Sequence, residues 1–333
     1  MPQSRAAVAA KRDDDDIRLK TDLPVTPPID GVLLLDKPSG ITSNAALQRV
    51  KRLLGARKAG HVGTLDPMAS GLLPICLGEA TKFSGYMLAA DKAYAADVLL
   101  GATTTTGDAE GEVTSRSPVA VTRAQLESVL AKFCGDIMQV PPMYSALKRD
   151  GKPLYAYARA GQVLEIAPRP VTIYSVLLTE FHPPEFRLRI RCSKGTYIRV
   201  LAEDIGRALG CGGMLNGLRR EGVGSYDLST AVPIGVLDSL TLEGRRARLM
   251  AVDSLVSSLP AMPLDDAAMR LICTGRRVAM AVRPGLYRLY AADTRFIGLG
   301  EVLADELMAK RLMAGSSWKM AAQGEASQAA KIA

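Results

Sequence analysis

The sequence predicts a mixed α and β fold, with one large domain followed by a small β-rich domain. Three observations support this prediction. The chain has 333 residues, which exceeds the usual length of one domain. Its apolar residues follow helical spacing in some segments and strand alternation in others. After a change of composition near 257–263, which suggests a linker, only short strand patterns remain.

The large domain is predicted to open with a strand, a turn and a helix. The apolar run 31–38 ends at a proline, which is typical of a short strand before a turn. Thr42 or Ser43 can cap a helix over 43–54, and Gly55 can end it. The polar face of this helix and the residues after it are basic, which is typical of a solvated surface and also suits phosphate contact: Arg49, Lys51, Arg52, Arg57 and Lys58.

Further elements follow along the chain. Thr122-Arg123-Ala124-Gln125 has the pattern of a capping box before an amphipathic helix. Strict alternation over 186–192 predicts a strand with a basic face, which leads into a helix over about 198–210. Segments 285–290 and 296–302 are predicted to be short strands. The C-terminal part of the chain has too few residues for more than a compact β module.

The two ends of the chain differ from its middle. Residues 1–30 contain four consecutive aspartates and four prolines, and we expect them to form a disordered tail, as we do for 324–333. The sequence has no apolar run of 18 residues and no secretory signal pattern near its start. We therefore expect a cytoplasmic protein without a membrane span.

Charge and cysteine content narrow the function further. The chain has a formal net charge of +8, and since residues 1–30 hold five basic and six acidic groups, the rest carries +9. A polyanionic partner is one explanation, although basic proteins without such a partner are common. Five dispersed cysteines and two histidines offer neither a disulfide framework nor a metal-ligand cluster, so no metal site is expected.

The most informative motif is Gly-His-Val-Gly-Thr-Leu-Asp-Pro-Met-Ala-Ser-Gly-Leu at 60–72, which places one carboxylate, Asp66, in a glycine-rich turn. Asp-Pro alone would mark only a turn. A carboxylate that acts as nucleophile or base must stay ionised when shielded from water, and a nearby Arg achieves this best. Arg199, at the predicted strand-to-helix junction 197–199, is the candidate partner; otherwise it is a surface residue of a helix.

Together with Gly78-Glu79-Ala80-Thr81-Lys82, this motif resembles the catalytic block of bacterial tRNA pseudouridine-55 synthases, the tRNA pseudouridine synthase B family. The resemblance extends from Gly31 to about Leu312. One loop departs from it, because Thr103 and Thr105 stand where many relatives have Arg and Asp.

The resemblance implies an α+β fold. A pseudouridine synthase catalytic domain over 31–256, with a central mixed, largely antiparallel sheet, would precede a PUA-like RNA-binding domain over 262–318. It also implies an isomerase that flips the T-loop uridine at tRNA position 55 and converts it to pseudouridine. The T arm of tRNA would be the partner, and neither a cofactor nor an obligate protein partner is implied.

The resemblance also implies roles for individual residues. Asp66 would be essential, Arg199 would pair with it, and Tyr94 would stack on the target uracil, which makes these three the catalytic group. The substrate-binding group would comprise His61, which fills the space left in the RNA loop, Tyr94, Tyr197, which lines the pocket, and Leu218, which packs against the base.

Three alternatives stay open at this point. A guide-RNA-dependent pseudouridine synthase would share the catalytic block, but the chain lacks the extensions expected of one. An aspartate-dependent glycosidase usually needs a second carboxylate, and we expect none beside Asp66. A non-catalytic tRNA-binding chaperone would tolerate the loss of Asp66.

Overall fold

The structure, a computed structural model, describes residues 28–314. The predicted tail at 324–333 and all but three residues of the tail at 1–30 lie outside the described residues. Within the described range, Asp30 accepts a hydrogen bond from the backbone N–H of Glu79 (2.7 Å). No helix of residues 28–314 is long and apolar enough to cross a membrane.

Helices and strands are interspersed along the chain. The helices are α1 (Ser43–Leu54), α2 (Ser84–Leu88), α3 (Arg123–Ala131), α4 (Leu154–Arg159), α5 (Ile198–Ala208), α6 (Ile234–Ser239), α7 (Leu242–Arg246) and α8 (Asp266–Cys273). Short 3-10 helices cover Gly78–Lys82, Leu228–Thr230 and Val252–Val256. The strands are β1 (Gly31–Lys37), β2 (Ala59–His61), β3 (Ser70–Leu77), β4 (Lys92–Leu100), β5 (Ala102–Thr104), β6 (Val113–Arg116), β7 (Gly135–Gln139), β8 (Lys148–Arg149), β9 (Lys152–Pro153), β10 (Arg169–His182), β11 (Glu185–Cys192), β12 (Gly213–Val223), β13 (Tyr226–Asp227), β14 (Val232–Pro233), β15 (Ala261–Pro263), β16 (Val278–Ala279), β17 (Gly285–Tyr290), β18 (Phe296–Leu303) and β19 (Glu306–Leu312).

A ten-stranded sheet forms the centre of the large domain. Its strand order is β14-β1-β3-β12-β4-β11-β10-β7, with β2 paired to β3 and β13 paired to β12. The pairs β1–β14 and β3–β12 are parallel and the other pairs are antiparallel. This confirms the predicted α+β fold with a mixed, largely antiparallel sheet.

Helix α1 follows the sequence prediction. Thr42 is its N-cap and accepts a hydrogen bond from the Ala45 N–H (3.0 Å), while Gly55 ends it in the left-handed conformation with φ of 65°. Leu47, Val50 and Leu54 are buried on one face, against the sheet. The basic residues therefore lie on the outer face.

Strand β11 and helix α5 carry the chain towards the predicted site. Buried and exposed side chains alternate strictly along β11, as predicted, with its arginines outside. Helix α5 then crosses close to β12, because a Cβ on Gly206 would lie 2.2 Å from the backbone nitrogen of Gly213. This close approach fixes the position of Arg199, in the first turn of α5.

The small domain is a five-stranded sheet of order β15-β17-β18-β19-β16, which confirms the predicted β-rich C-terminal domain. Phe83 of the large domain packs edge-on against Phe296, with ring centroids 5.4 Å apart. The predicted linker near 257–263 is wrong in part, because Ala261–Pro263 forms β15 and pairs in parallel with β17. Its hydrogen bonds to a strand some 27 residues away are a tertiary feature that local composition does not encode.

Candidate active site

Asp66 lies in the loop between β2 and β3. The loop is held against the start of α1, where the Ser43 hydroxyl donates to the Leu65 carbonyl (3.0 Å) and accepts from the Leu65 N–H (2.8 Å). At the end of the loop Gly71 has φ of 101°, and a Cβ there would meet the Arg220 carbonyl oxygen at 2.3 Å. Glycine is therefore required where the chain enters β3.

A buried lysine donates a hydrogen bond to the same loop. Lys37, at the end of β1, has no exposed surface, and its ammonium donates to the carbonyls of Pro38 (2.9 Å), Ile41 (2.7 Å) and Pro67 (3.4 Å). Burial lowers the pKa of Lys37 to about 8, although the nearby carboxylates of Glu110 and Asp66 raise it in part. Lys37 thus connects β1 to the residue that follows Asp66.

Arg199 reaches Asp66 from the opposite side. It is 4% exposed, and its Nε lies 2.9 Å from Oδ2 of Asp66. Its two terminal nitrogens donate to the carbonyls of Thr106 (2.9 Å) and Tyr144 (2.8 Å). The structure therefore places Arg199 in the interior beside Asp66 and not on the surface of α5.

A second carboxylate, Asp108, contacts the guanidinium of Arg199. Asp108 is 3% exposed, and its Oδ2 lies 3.5 Å from Nε of Arg199. Its Oδ1 accepts hydrogen bonds from the Thr106 hydroxyl (2.5 Å) and the Glu110 N–H (3.1 Å). Asp108 does not line the cavity described below, so it shares the cation of Arg199 and does not face a substrate as a paired acid would.

The two threonines that depart from the resemblance lie in the hairpin that carries Asp108. The Thr103 hydroxyl is 2.7 Å from the Thr114 hydroxyl, and the Thr105 hydroxyl accepts from the Glu112 N–H (3.1 Å). Both side chains therefore make contacts within the hairpin, and Asp108 still reaches Arg199.

The surroundings of Asp66 set its ionisation. Its side chain is 37% exposed towards the cavity. Burial of the rest raises the pKa of Asp66 from its ordinary value of 3.8, the positive charge of Arg199 opposes this, and the negative charge of Asp108 adds to it. Arg199 therefore stabilises the ionised form that a nucleophile or base requires.

A cavity of about 280 Å³ opens over Asp66. Four further residues predicted for the site line it: Tyr94, Tyr197, Arg199 and Leu218. Tyr94 is 8% exposed on β4, and burial raises the pKa of its hydroxyl. The structure thus brings five of the six predicted residues together, although they are up to 152 positions apart.

His61, the sixth predicted residue, does not line this cavity. It ends β2, opposite Ile75 of β3, and is partly exposed. Burial, with a smaller contribution from the charge of Arg220, lowers its pKa, and its Nδ1 has no hydrogen-bond partner among residues 28–314. The lowered pKa favours the neutral imidazole at this position.

Arg220, a residue that sequence reasoning missed, forms part of the cavity wall. It is 1% exposed and donates to the carbonyls of Leu72 (2.7 Å) and Gly63 (2.9 Å). It pairs across the strands with Tyr94, and the two side chains interact electrostatically. The only signal in the sequence is the neighbouring arginine pair 219–220, and the β4–β12 register that decides which of the two points inward is not readable locally.

The loop before α5 supplies the remaining wall. Gln139 holds it through a pair of hydrogen bonds, accepting from the Tyr197 N–H (3.0 Å) and donating to the Tyr197 carbonyl (3.3 Å). The ammonium of Lys92, also in the wall, donates to the carbonyls of Leu88 (3.0 Å) and Ala90 (2.5 Å). Aromatic, aliphatic and cationic groups therefore surround one carboxylate.

This arrangement can bind a flat polar ring and expose it to an ionised carboxylate. Tyr94 and Leu218 offer stacking and apolar contact, and Arg220 and Lys92 give a positive potential. Within residues 28–314 no group of three or more His, Cys, Asp or Glu side chains is arranged to hold a metal ion.

Three family models match consecutive parts of the chain. Residues 51–198 match the family described as TruB family pseudouridylate synthase (N terminal domain). Residues 199–257 match the tRNA pseudouridylate synthase B C-terminal domain, and 260–313 match Pseudouridine synthase II TruB, C-terminal.

Individual relatives are similar over most of the chain. The tRNA pseudouridine synthase B of Methylobacillus flagellatus is 55% identical over 276 residues, which cover 82% of this chain and 91% of that protein. The protein of the same name from Burkholderia mallei is 53% identical over 293 residues, 86% of this chain and 97% of that protein.

Two solved structures share the fold. A Cbf5-Nop10-Gar1 complex contains a chain that superposes with a TM-score of 0.65 at 26% identity, over 85% of this chain and 84% of that one. An H/ACA RNP bound to a substrate RNA containing 2'-deoxyuridine gives a TM-score of 0.66 at 24% identity, over 86% of both chains.

Proposed function

The chain belongs to the TruB family of pseudouridylate synthases and is an isomerase that forms pseudouridine in tRNA, and we propose that its target is the T-loop uridine at position 55. One observation carries the mechanistic part of the proposal: the carboxylate of Asp66 opens onto the cavity while Arg199 holds it at 2.9 Å. An ionised carboxylate in that position can react with a nucleoside that enters the cavity.

The reaction is an isomerisation within one nucleotide. The bond between ribose C1' and uracil N1 breaks, the uracil turns within the cavity, and a bond forms between C1' and C5. C5 then loses its proton, and N1 gains one. Every atom of the product comes from the substrate apart from exchanged protons. Asp66 supplies the nucleophile or base for these steps, and its ionised state is restored at the end.

The target base must leave the stacked T loop before it can reach Asp66, which costs a few kcal/mol. We propose that Tyr94 offsets this cost by stacking on the uracil, a contact worth about 1–3 kcal/mol. In this proposal Leu218, which lines the cavity, packs on the base, and Tyr197 forms another part of the cavity wall. His61, at the edge, fills the space that the flipped nucleotide leaves.

The domain assignment follows the same reasoning. Residues 31–256 form the catalytic domain and 262–318 form a PUA-like domain that holds RNA, of which the described part ends at 314. The T arm of tRNA is the bound element. We further propose that the protein works in the cytoplasm and needs neither a cofactor nor a protein partner.

One assay separates this proposal from the alternatives. Purified protein is incubated with an unmodified tRNA transcript alone, and the RNA is analysed for pseudouridine at position 55 and for released uracil. We expect pseudouridine at 55 and no free uracil, and no product from a transcript with cytidine at 55. A requirement for an added guide RNA, or release of uracil, would contradict the proposal.

A further inference from the structure

A second cavity, of about 580 Å³, lies far from Asp66. Its walls are the C-terminal end of α1, the residues before β2, the 3-10 helix at Gly78–Lys82, and α7. Strand β1 and helix α1 both run from the Asp66 end of the domain to this cavity. The six residue steps of β1, at the rise of a strand, and the twelve residues of α1, at the rise of a helix, each span about 20 Å. The two cavities are therefore about 20 Å apart.

The wall of this cavity carries more basic than acidic side chains. Five are arginine or lysine and two are acidic. Both carboxylates already have partners: Asp30 accepts from the Glu79 N–H (2.7 Å), and Glu79 accepts from Lys82 (2.6 Å). The donors of Arg245 also have acceptors, since its guanidinium donates to three carbonyl oxygens, those of Leu53, Leu237 and Asp238.

The other four cations are Arg52, Arg57, Lys58 and Arg246, and we call them the basic cluster. Their side chains form no hydrogen bond and no salt bridge with any of residues 28–314. The Nε of Arg246 is buried and lacks an acceptor within that range. By contrast Arg49, one turn earlier on α1, pairs with Asp238. The cluster thus has donors that the described protein leaves without acceptors, although the charge of Lys58 also acts on the carboxylate of Glu79.

We propose that the basic cluster binds phosphodiester groups of the tRNA substrate, at a site remote from the reacting uridine. Guanidinium forks match the geometry of phosphate oxygens. A tRNA extends well beyond 20 Å, so one molecule can occupy both cavities. The inference depends on tRNA being the substrate, and it predicts that the cluster contributes to binding and not to chemistry.

The test is a triple variant, Arg57→Gln, Lys58→Gln and Arg246→Gln, in the full chain. Its control, Arg123→Gln, Arg187→Gln and Arg207→Gln, removes the same charge from arginines that pair with carboxylates on other surfaces. For each protein we measure the Kd for full-length tRNA between 50 and 300 mM salt, and kcat and KM for pseudouridine formation.

We expect the cluster variant to bind tRNA roughly tenfold more weakly near 0.1 M salt, with a log–log salt slope smaller by about 1–2.5, since each lost phosphate contact removes about 0.7–0.9. KM should rise while kcat at saturating tRNA stays at the wild-type value, which also shows that the variant folds. A single Lys58→Glu variant should act in the same direction.

Two results would overturn the inference. One is a Kd and salt slope equal to those of the control variant. The other concerns the removal of residues 1–27 from both proteins. If this removal tightened tRNA binding by the wild type but not by the cluster variant, the protein's own aspartates 13–16 would be the occupant of the cluster. If the wild type itself formed no pseudouridine, the proposed function would fail instead, so the two failures are distinguishable.

Discussion

Arg199→Lys keeps the positive charge beside Asp66 but removes the planar fork. Arg199 makes three short contacts from three different nitrogens, to Asp66 (2.9 Å), the Thr106 carbonyl (2.9 Å) and the Tyr144 carbonyl (2.8 Å). A lysine ammonium is a single charged point at the end of a shorter side chain, so it cannot reach all three acceptors. It would also leave Asp108, 3.5 Å from Nε, with a weaker partner.

The size of the effect follows from these contacts. A hydrogen bond that involves a charged group contributes about 1.5–3 kcal/mol. If the bond to Asp66 is lost where the transition state needs it, kcat falls by about 10–150-fold at about 1.4 kcal/mol per factor of ten. Loss of the two carbonyl contacts should lower the free energy of unfolding as well, by up to about 3–6 kcal/mol at the same value for each bond.

The assay is single-turnover pseudouridine formation on an unmodified tRNA transcript, with urea unfolding measured in parallel. Arg207→Lys is the matched control, because Arg207 lies on the same helix but is exposed and pairs with Asp204 on the surface. We expect the control to keep wild-type activity and stability. Wild-type activity in Arg199→Lys would refute the reasoning, as would a loss that disappears once the folded fraction is taken into account.

Four further outcomes are expected. Tyr94→Phe should keep most activity, whereas Tyr94→Leu should lose about 1–3 kcal/mol of stacking, measured as kcat/KM; equal losses would deny a stacking role. Because burial raises the pKa of Asp66 above its ordinary value of 3.8, kcat/KM should fall on acidification at a higher pH than for a free aspartate, and an acidic limb at or below 3.8 would contradict this. The pKa of Lys37 is lowered from 10.5 to about 8 in the folded protein. Between these two pH values the unfolded chain binds more protons than the folded protein. The contribution of Lys37 to the free energy of unfolding therefore rises with pH in this range. The difference in unfolding free energy between wild type and Lys37→Met should therefore grow between pH 8 and 10 by at most about 1.4 kcal/mol per unit, and a flat difference would argue against a lowered pKa of Lys37. Deletion from Met262 onward should weaken tRNA binding and reduce its salt slope but keep activity on a T-arm hairpin, since Asp66 and its partners lie upstream; unchanged affinity in a folded truncation would contradict RNA binding by the small domain.

Local signals in the sequence predicted much of the fold. The caps of α1, at Thr42 and Gly55, and the strict alternation along β11 depend on neighbouring residues alone. The motif around Asp66 was equally local, and the resemblance to relatives linked it to Arg199. These features are fixed by backbone conformation and by which face is apolar, both of which are encoded within about ten residues.

Features that depend on distant pairing were not predicted. Asp108 reaches the site because the β5–β6 hairpin folds back towards α5, and Arg220 faces the cavity because of its register with Tyr94. A shift of one residue in β12 would turn Arg220 outward. Likewise the composition of β15 is that of a linker, and only its pairing with β17 makes it a strand. Each depends on contacts between segments far apart in the chain.

The most direct measurement is pseudouridine formation by Asp66→Asn. The amide preserves the shape of the side chain but can neither attack nor accept a proton at neutral pH. Under single-turnover conditions with saturating tRNA, we predict no detectable pseudouridine at position 55, with a tRNA Kd within about threefold of the wild type. Turnover close to the wild-type rate in Asp66→Asn would show that another group performs the chemistry.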